Sequence, residues 1–300
     1  MTKISYSKPS LTYSNQLQQL IDRGLIVENV GKALHLLESV SYYRISGYWY
    51  PLLADKQLHT FKEGSTFETA FQLYCFDREL RLLINSELEK IEVAVRAKMI
   101  YVLSQKFGGH WFQNLALFKD PIKFQTQILN KLKEECERSD EEFIKAFYEK
   151  YADPLPPSWM IMEIVSFGTL SKLYSQLAPG KEKRDIAHHF GLPDSVFSTW
   201  LHSIVYLRNV CAHHSRLWNR GLSIKPQSPN SPRKVWLKNR EVRTDKAYFA
   251  LSMTKYLLQT VNPKSTFTAK FVRLVNKYPN VDVKAMGFPD DWENEPLWQP

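Results

Sequence analysis

Apolar residues return every three or four positions along most of the chain, the period of an amphipathic helix. The clearest run extends from Phe67 to about Gln105, where Leu73, Phe76, Leu80, Leu83, Leu88, Ile91, Val95 and Met99 mark one face and Gly108-Gly109 ends the pattern. Ahead of it, 14–22 and 29–38 read as two short helices with Gly24 as a C-terminal stop between them. An aromatic segment, Tyr42 to Tyr50, follows, and 54–66 reads as a loop. Further helices are predicted at 122–138, at 140–151 with Ser139 or Asp140 as cap, and at 158–177 after Pro154, Pro156 and Pro157. Another at 181–190 stops at Gly191, and Asp194 or Ser195 opens a helix that runs to about Arg216. Residues 219–243 read as a loop with a short strand at 235–237, followed by helices at 245–261 and 265–277 and an irregular acidic tail. The expected class is mostly α: a small helix-turn-helix-like unit over 1–55 and a large helical domain over 66–300.

Composition narrows the class. With 44% hydrophobic and 24% charged residues over 300 positions, the chain can bury a large core and lies outside the disordered regime. Eleven glycines, 16 prolines and three cysteines exclude collagen-like and disulfide-framework chains. Cys75, Cys136 and Cys211 are odd in number and far apart, without the spacing of a metal or redox pair. No apolar leader and no membrane-length apolar run is present, so a cytoplasmic chain with no membrane partner is expected.

Charge changes the picture more. The net +9 is not spread evenly: residues 1–199 carry 24 basic and 24 acidic side chains, whereas 200–284 carry 16 basic against three acidic. A polyanion site belongs in that C-terminal block. Within it, the 219–243 loop and its approach hold Arg216, Arg220, Lys225, Arg233, Lys234, Lys238, Arg240 and Arg243, interleaved with Trp218 and Trp236. That mixture suits contacts to an RNA backbone, against the alternative of a solvated loop.

The same block begins on the helix predicted over 194–216. Wound at about 100° per residue, Leu201, Ile204, Val205, Cys211 and Ala212 fall within about 60° of Arg208, which places Arg208 at the centre of an apolar stripe. Asn209 and His213, four apart, share a neighbouring flank. A guanidinium on a buried face needs a counter-charge or a ligand. A structural ion pair is one reading. The other is chemistry, because a forked cation, an orienting amide and an imidazole that exchanges protons near neutral pH suit metal-free phosphodiester cleavage. On the 67–105 helix, Arg78, Arg81, Asn85, Glu89, Glu92 and Arg96 form a polar stripe, from which Glu89 or Glu92 can neutralise Arg208. His214, next to the motif, is a supporting or surface residue. His188, His189, His202, His213 and His214 have no HExxH spacing, so no metal is expected, and no phosphate-binding glycine motif calls for a nucleotide or other cofactor.

Arg208 to His213 (RNVCAH) matches the RNxxxH form of the motif of HEPN-type helical ribonucleases. The longer string 208–220 (RNVCAHHSRLWNR) resembles the signature of Abi-like abortive-infection proteins of the AbiD/AbiF group. Residues 41–51 (SYYRISGYWYP) resemble that family's aromatic box, 76–96 its first long helix, and 286–292 (MGFPDDW) its tail. The resemblance implies a HEPN-like helical body, a homodimer in which two motifs build one composite site, and RNA cleavage in phage defence. It assigns Arg208, Asn209 and His213 as catalytic, and implies a restraining antitoxin, for which a basic face makes RNA a fitting partner. Two other functions stay open: an RNA-binding HEPN protein without turnover, and a DNA-binding regulator built on 14–38. Helix 29–38 offers only Lys32 and His35 as basic groups, a thin set for duplex reading. The aromatic box can stack unpaired bases, with Arg44 as its RNA contact, or serve as core packing.

Overall fold

Thr12 accepts a hydrogen bond from the Asn15 amide at 3.2 Å and so starts α1 (Tyr13–Asp22). The computed structural model describes residues 5, 7 and 9–299 of the chain. Gly24, at φ +93°, turns the chain out of α1, and Asn29 caps α2 (Val30–Val40) through a 2.8 Å bond from the Lys32 amide. The aromatic segment forms α3 (Tyr42–Trp49), which starts directly at Ser41, a residue at φ +76°. In place of a plain loop, β1 (Leu53–Asp55) then pairs antiparallel with β2 (Thr60–Phe61). Leu17, Leu20, Leu25, Ala33, Leu37, Ile45, Trp49, Leu53, Phe61 and Phe67 close one small core.

The chain divides into two compact units. The first holds residues 1–80 and 273–282, and the second holds 81–272 and 283–300. The long helix α4 (Phe67–Phe107) contributes to both, and spans roughly 60 Å. Phe76, Leu80, Ile84, Leu88, Ile91, Val95, Met99 and Leu103 form its buried stripe, with Ile84 rather than Leu83 in the line. Within the first unit, Tyr278 and Lys277 both donate to the Glu79 carboxylate, at 2.7 Å to Oε1.

The regular structure of the second unit is helical. It comprises α5 (Pro121–Phe124) joined by a π turn to α6 (Asn130–Glu137), α7 (Glu142–Lys150), α8 (Ser158–Ile164), α9 (Phe167–Gln176), α10 (Lys181–His189), α11 (Asp194–Ala212) and α12 (Ala247–Val261). It also takes the start of α13 (Phe267–Lys277). The chain is mostly α, as its periodicity predicts. Other local expectations fail as well. The 158–177 run is two helices, because Val165 is extended and Ser166 caps α9 afresh through the Thr169 amide. Glu141, not Ser139 or Asp140, precedes α7, and no side chain caps it. No strand forms at 235–237; Trp236 and Leu237 are buried there instead. The irregular acidic tail is packed: Trp292, Leu297 and Trp298 are buried and the Trp298 indole donates to Ser252 Oγ at 3.1 Å. Among the described residues, no helix is long and apolar enough to cross a membrane.

Candidate active site at the end of the motif helix

Helix α11 packs against α9, α10 and α12, and buries Val196, Phe197, Trp200, Leu201, Ile204, Leu207, Val210 and Cys211. On the helical wheel this stripe centres near Trp200 and Leu207, about 80–100° from Arg208. Arg208 therefore stands on the edge of the buried face, with its side chain 40% exposed, rather than at the centre as its apolar neighbours implied. The wheel misplaced it because Leu201, Val205 and Ala212 lie on its side of the helix, yet Val205 is only half-buried and Ala212 is exposed. Asn209 and His213 share one flank, as the spacing predicts, and both are exposed.

The helix ends sooner than its sequence pattern indicates, at Ala212 rather than Arg216. The His214 amide donates to the Cys211 carbonyl at 3.1 Å and the Ser215 amide to the Val210 carbonyl at 2.9 Å, the paired bonds of a Schellman reversal. That motif needs a left-handed residue, usually glycine, and here His214 supplies it at φ +55°. The reversal takes the chain inward to Leu217 and Trp218, both buried. His213 is left as the helix cap, held by its amide on the Asn209 carbonyl at 2.9 Å, with its imidazole exposed.

Arg208 faces Glu92 on α4 across the packing, at 3.9 Å. Glu92 also receives Arg96 at 3.1 Å, and Arg96 in turn reaches the Glu163 carboxylate at 3.1 Å and the Val165 carbonyl at 3.3 Å. Burial pushes the Glu92 carboxyl above its ordinary proton affinity, although Arg208 and Arg96 pull it down, and the nearby charge of Glu89 adds to the rise. Glu89 is exposed. Glu163 was invisible in the sequence: it lies on α8, and no spacing links it to α4.

The basic segment after α11 is a packed strap rather than a loop in solvent. Ser223 Oγ lies 3.4 Å from the Tyr206 hydroxyl, the Gln227 carbonyl accepts from the Trp200 indole at 2.8 Å, and the Arg233 amide donates to the Gly191 carbonyl at 3.0 Å. The strap thus runs back along α11 from its C-terminal end towards its N-terminal end. Trp236 packs edge-on to Phe249 and Tyr256 and tilted against Trp200. The buried Glu295 carboxylate accepts the amides of Lys238 at 2.6 Å and Asn239 at 2.9 Å.

The sequence-predicted cations are consequently divided. Arg216 and Arg220 stay beside the reversal, where the Arg220 guanidinium donates to the Arg216 carbonyl at 3.4 Å. Arg233 is carried to His188, 3.5 Å away, and the Lys234 ammonium donates to the Gln259 carbonyl at 3.3 Å. Arg240 donates to the Pro229 carbonyl at 2.8 Å, and Arg243 forks onto Asp245 at 2.9 and 3.1 Å. Lys225 and Lys238 are exposed. Arg44 is exposed on α3, in the first unit. Among the described residues, no three His, Cys, Asp or Glu side chains gather as a metal-binding group.

Residues 35–219, more than half of the chain and including Arg208, Asn209 and His213, match the profile of a family described as Abi-like protein. No curated protein and no solved structure matches the chain. With the long helix α4 and the motif helix α11 both inside the matched stretch, the chain belongs to the Abi-like protein family.

Proposed function

We propose that this Abi-like protein is a HEPN-type endoribonuclease of the AbiD/AbiF group that cleaves RNA without a metal in abortive infection of phage-infected cells. The observation that carries the reading is the exposed end of α11. There a forked cation, an amide and an imidazole share the last turn and a half, and among the described residues Arg208 has Glu92, at 3.9 Å, as its acidic partner. A cation held so loosely can change partners when a phosphate arrives.

In this mechanism the 2′-hydroxyl of the RNA attacks the adjacent phosphorus while the bond from phosphorus to O5′ breaks. The products are a 2′,3′-cyclic phosphate and a 5′-hydroxyl. His213 accepts the 2′-hydroxyl proton or delivers one to O5′. Arg208 stabilises the charge that grows on the phosphoryl oxygens, and Asn209 orients the phosphate or His213. A homodimer brings two copies of the motif together, so one imidazole acts as base and the other as acid. Such a nuclease in the cytoplasm must be restrained, and an RNA antitoxin fits the basic strap.

The test is cleavage of single-stranded RNA in EDTA. Arg208→Ala and His213→Ala should each lower the rate by about 100-fold or more. The products should carry cyclic phosphates, and a 2′-deoxy sugar at the cut should block cleavage. Undiminished cleavage by both variants sinks the mechanism. RNA binding with no turnover would select a silent binding protein instead.

A further inference from the structure

A cleft of about 870 Å³ opens in the first unit, far larger than a packing defect and within the size range of small-ligand sites. Its walls are unusual for a structural groove. Tyr42, Tyr43 and Tyr50 from α3 and its continuation line it, above a floor that includes Leu20 and Trp49. The Tyr43 ring is 89% exposed and Tyr50 is about half exposed, so neither is consumed by the core. Trp49, by contrast, is buried and packs edge-on against Tyr42 at 5.0 Å.

Polar groups accompany the rings. Arg23, in the lining, reaches the Tyr42 hydroxyl at 3.3 Å, and the Lys56 ammonium, outside the lining, sits 5.3 Å from the Tyr50 ring centre. Gln16 also lines the cleft. Its amide nitrogen donates to the Leu11 carbonyl at 3.0 Å, and its Oε1 is buried. Flat aromatic faces beside a guanidinium are the complement of a planar heterocycle that carries a phosphate.

We propose that this cleft receives an unpaired nucleobase of bound RNA, stacked on Tyr43 and Tyr50, with its phosphate beside Arg23. The inference rests on the reading that the chain acts on RNA, but concerns a site separate from Arg208 and His213. A splayed single-stranded base fits better than a duplex, because α3 carries only Arg44 as a cation and duplex reading needs a row of phosphate contacts. Stacking on tyrosine also tolerates any base, which suits a docking pocket more than a sequence reader.

The experiment uses the full chain carrying His213→Ala, so that RNA is not consumed, and a fluorescent single-stranded hexaribonucleotide in EDTA. Tyr43→Ala and Tyr50→Ala should each weaken binding about tenfold. Tyr43→Phe and Tyr50→Phe, which keep the rings, should bind within about twofold of the parent. A hexamer with abasic sugars should bind the parent and the alanine variants alike. Circular dichroism of the Tyr43→Ala protein, altered only at an exposed ring, checks that folding is intact. Equal hexamer binding by parent and alanine variants overturns this inference alone, as does tighter binding of duplex DNA. Absence of RNA binding by the parent overturns it together with the RNA reading of the motif.

Discussion

Glu92 sits between two guanidinium groups, and yet burial, not their charge, dominates its proton affinity. The sign matters for stability. A carboxyl with a raised value in the folded state binds its proton more tightly there than in the unfolded chain. Its contribution is therefore most favourable below the ordinary carboxylate range and is lost as pH rises through the raised value. Glu92→Gln, which keeps the shape and cannot ionise, should gain stability relative to the parent between pH 4 and pH 7 in urea titrations. A pair with Arg208 that dominated Glu92 would produce the opposite trend. Cleavage by Glu92→Gln should stay within about tenfold of the parent, since Glu92 restrains Arg208 and does not touch the phosphate in the proposed mechanism. Arg208 itself shows how a wheel misleads. Counting apolar neighbours places it at the centre of the stripe, but α11 buries the side centred on Trp200 and Leu207 and leaves Arg208 at the margin.

The strap from Ser215 to Lys246 has almost no regular structure and still makes a defined path. Its composition of Pro, Ser, Asn and basic residues reads as a loop because regular backbone pairing is absent. What orders it is tertiary: Trp236 in an aromatic cluster, and two backbone amides on the buried Glu295 carboxylate. Glu295→Gln should cost about 1.5–3 kcal/mol, the scale of hydrogen bonds to a charged group, as measured by urea unfolding. Trypsin should then cut after Arg233, Lys238 or Arg240 faster than in the parent. Unchanged stability and unchanged cutting would show that Glu295 is not what holds the strap. The same logic applies to the end of α11: periodicity carries the helix on to Arg216, but the burial of Leu217 and Trp218 turns the chain at His214.

For the whole molecule, the excess of positive charge in 200–284 was legible as a number but not as a surface. Arg243 is forked onto Asp245 and Arg240 onto the Pro229 carbonyl, while Arg233 and Lys234 are carried towards the other end of α11. Only part of the block can meet one polyanion near Arg208. RNA affinity should fall steeply with salt, and Lys225→Ala and Lys238→Ala, at exposed positions, should each reduce the slope of log affinity against log salt by about one. Arg243→Ala should leave that slope nearly unchanged, because Asp245 already answers its charge. Equal effects from all three variants would refute the division of the block.

The sequence by itself determined the helical class, the long apolar face of α4, the stop at Gly24, and the shared flank of Asn209 and His213. Each of these depends on period, on a glycine's freedom or on a four-residue spacing, and such properties are local to the chain. Only the tertiary structure decided that Glu92, Arg96 and Glu163 form one charged network behind Arg208, and that the aromatic box is a helix with an open cleft beside it. Only it decided, too, that the acidic tail lends a buried carboxylate to the basic strap. Apart from Glu92 and Arg96, one helical turn apart on α4, those pairings join residues from tens to just over a hundred positions apart, where packing chooses the partner and no repeat in the chain records the choice.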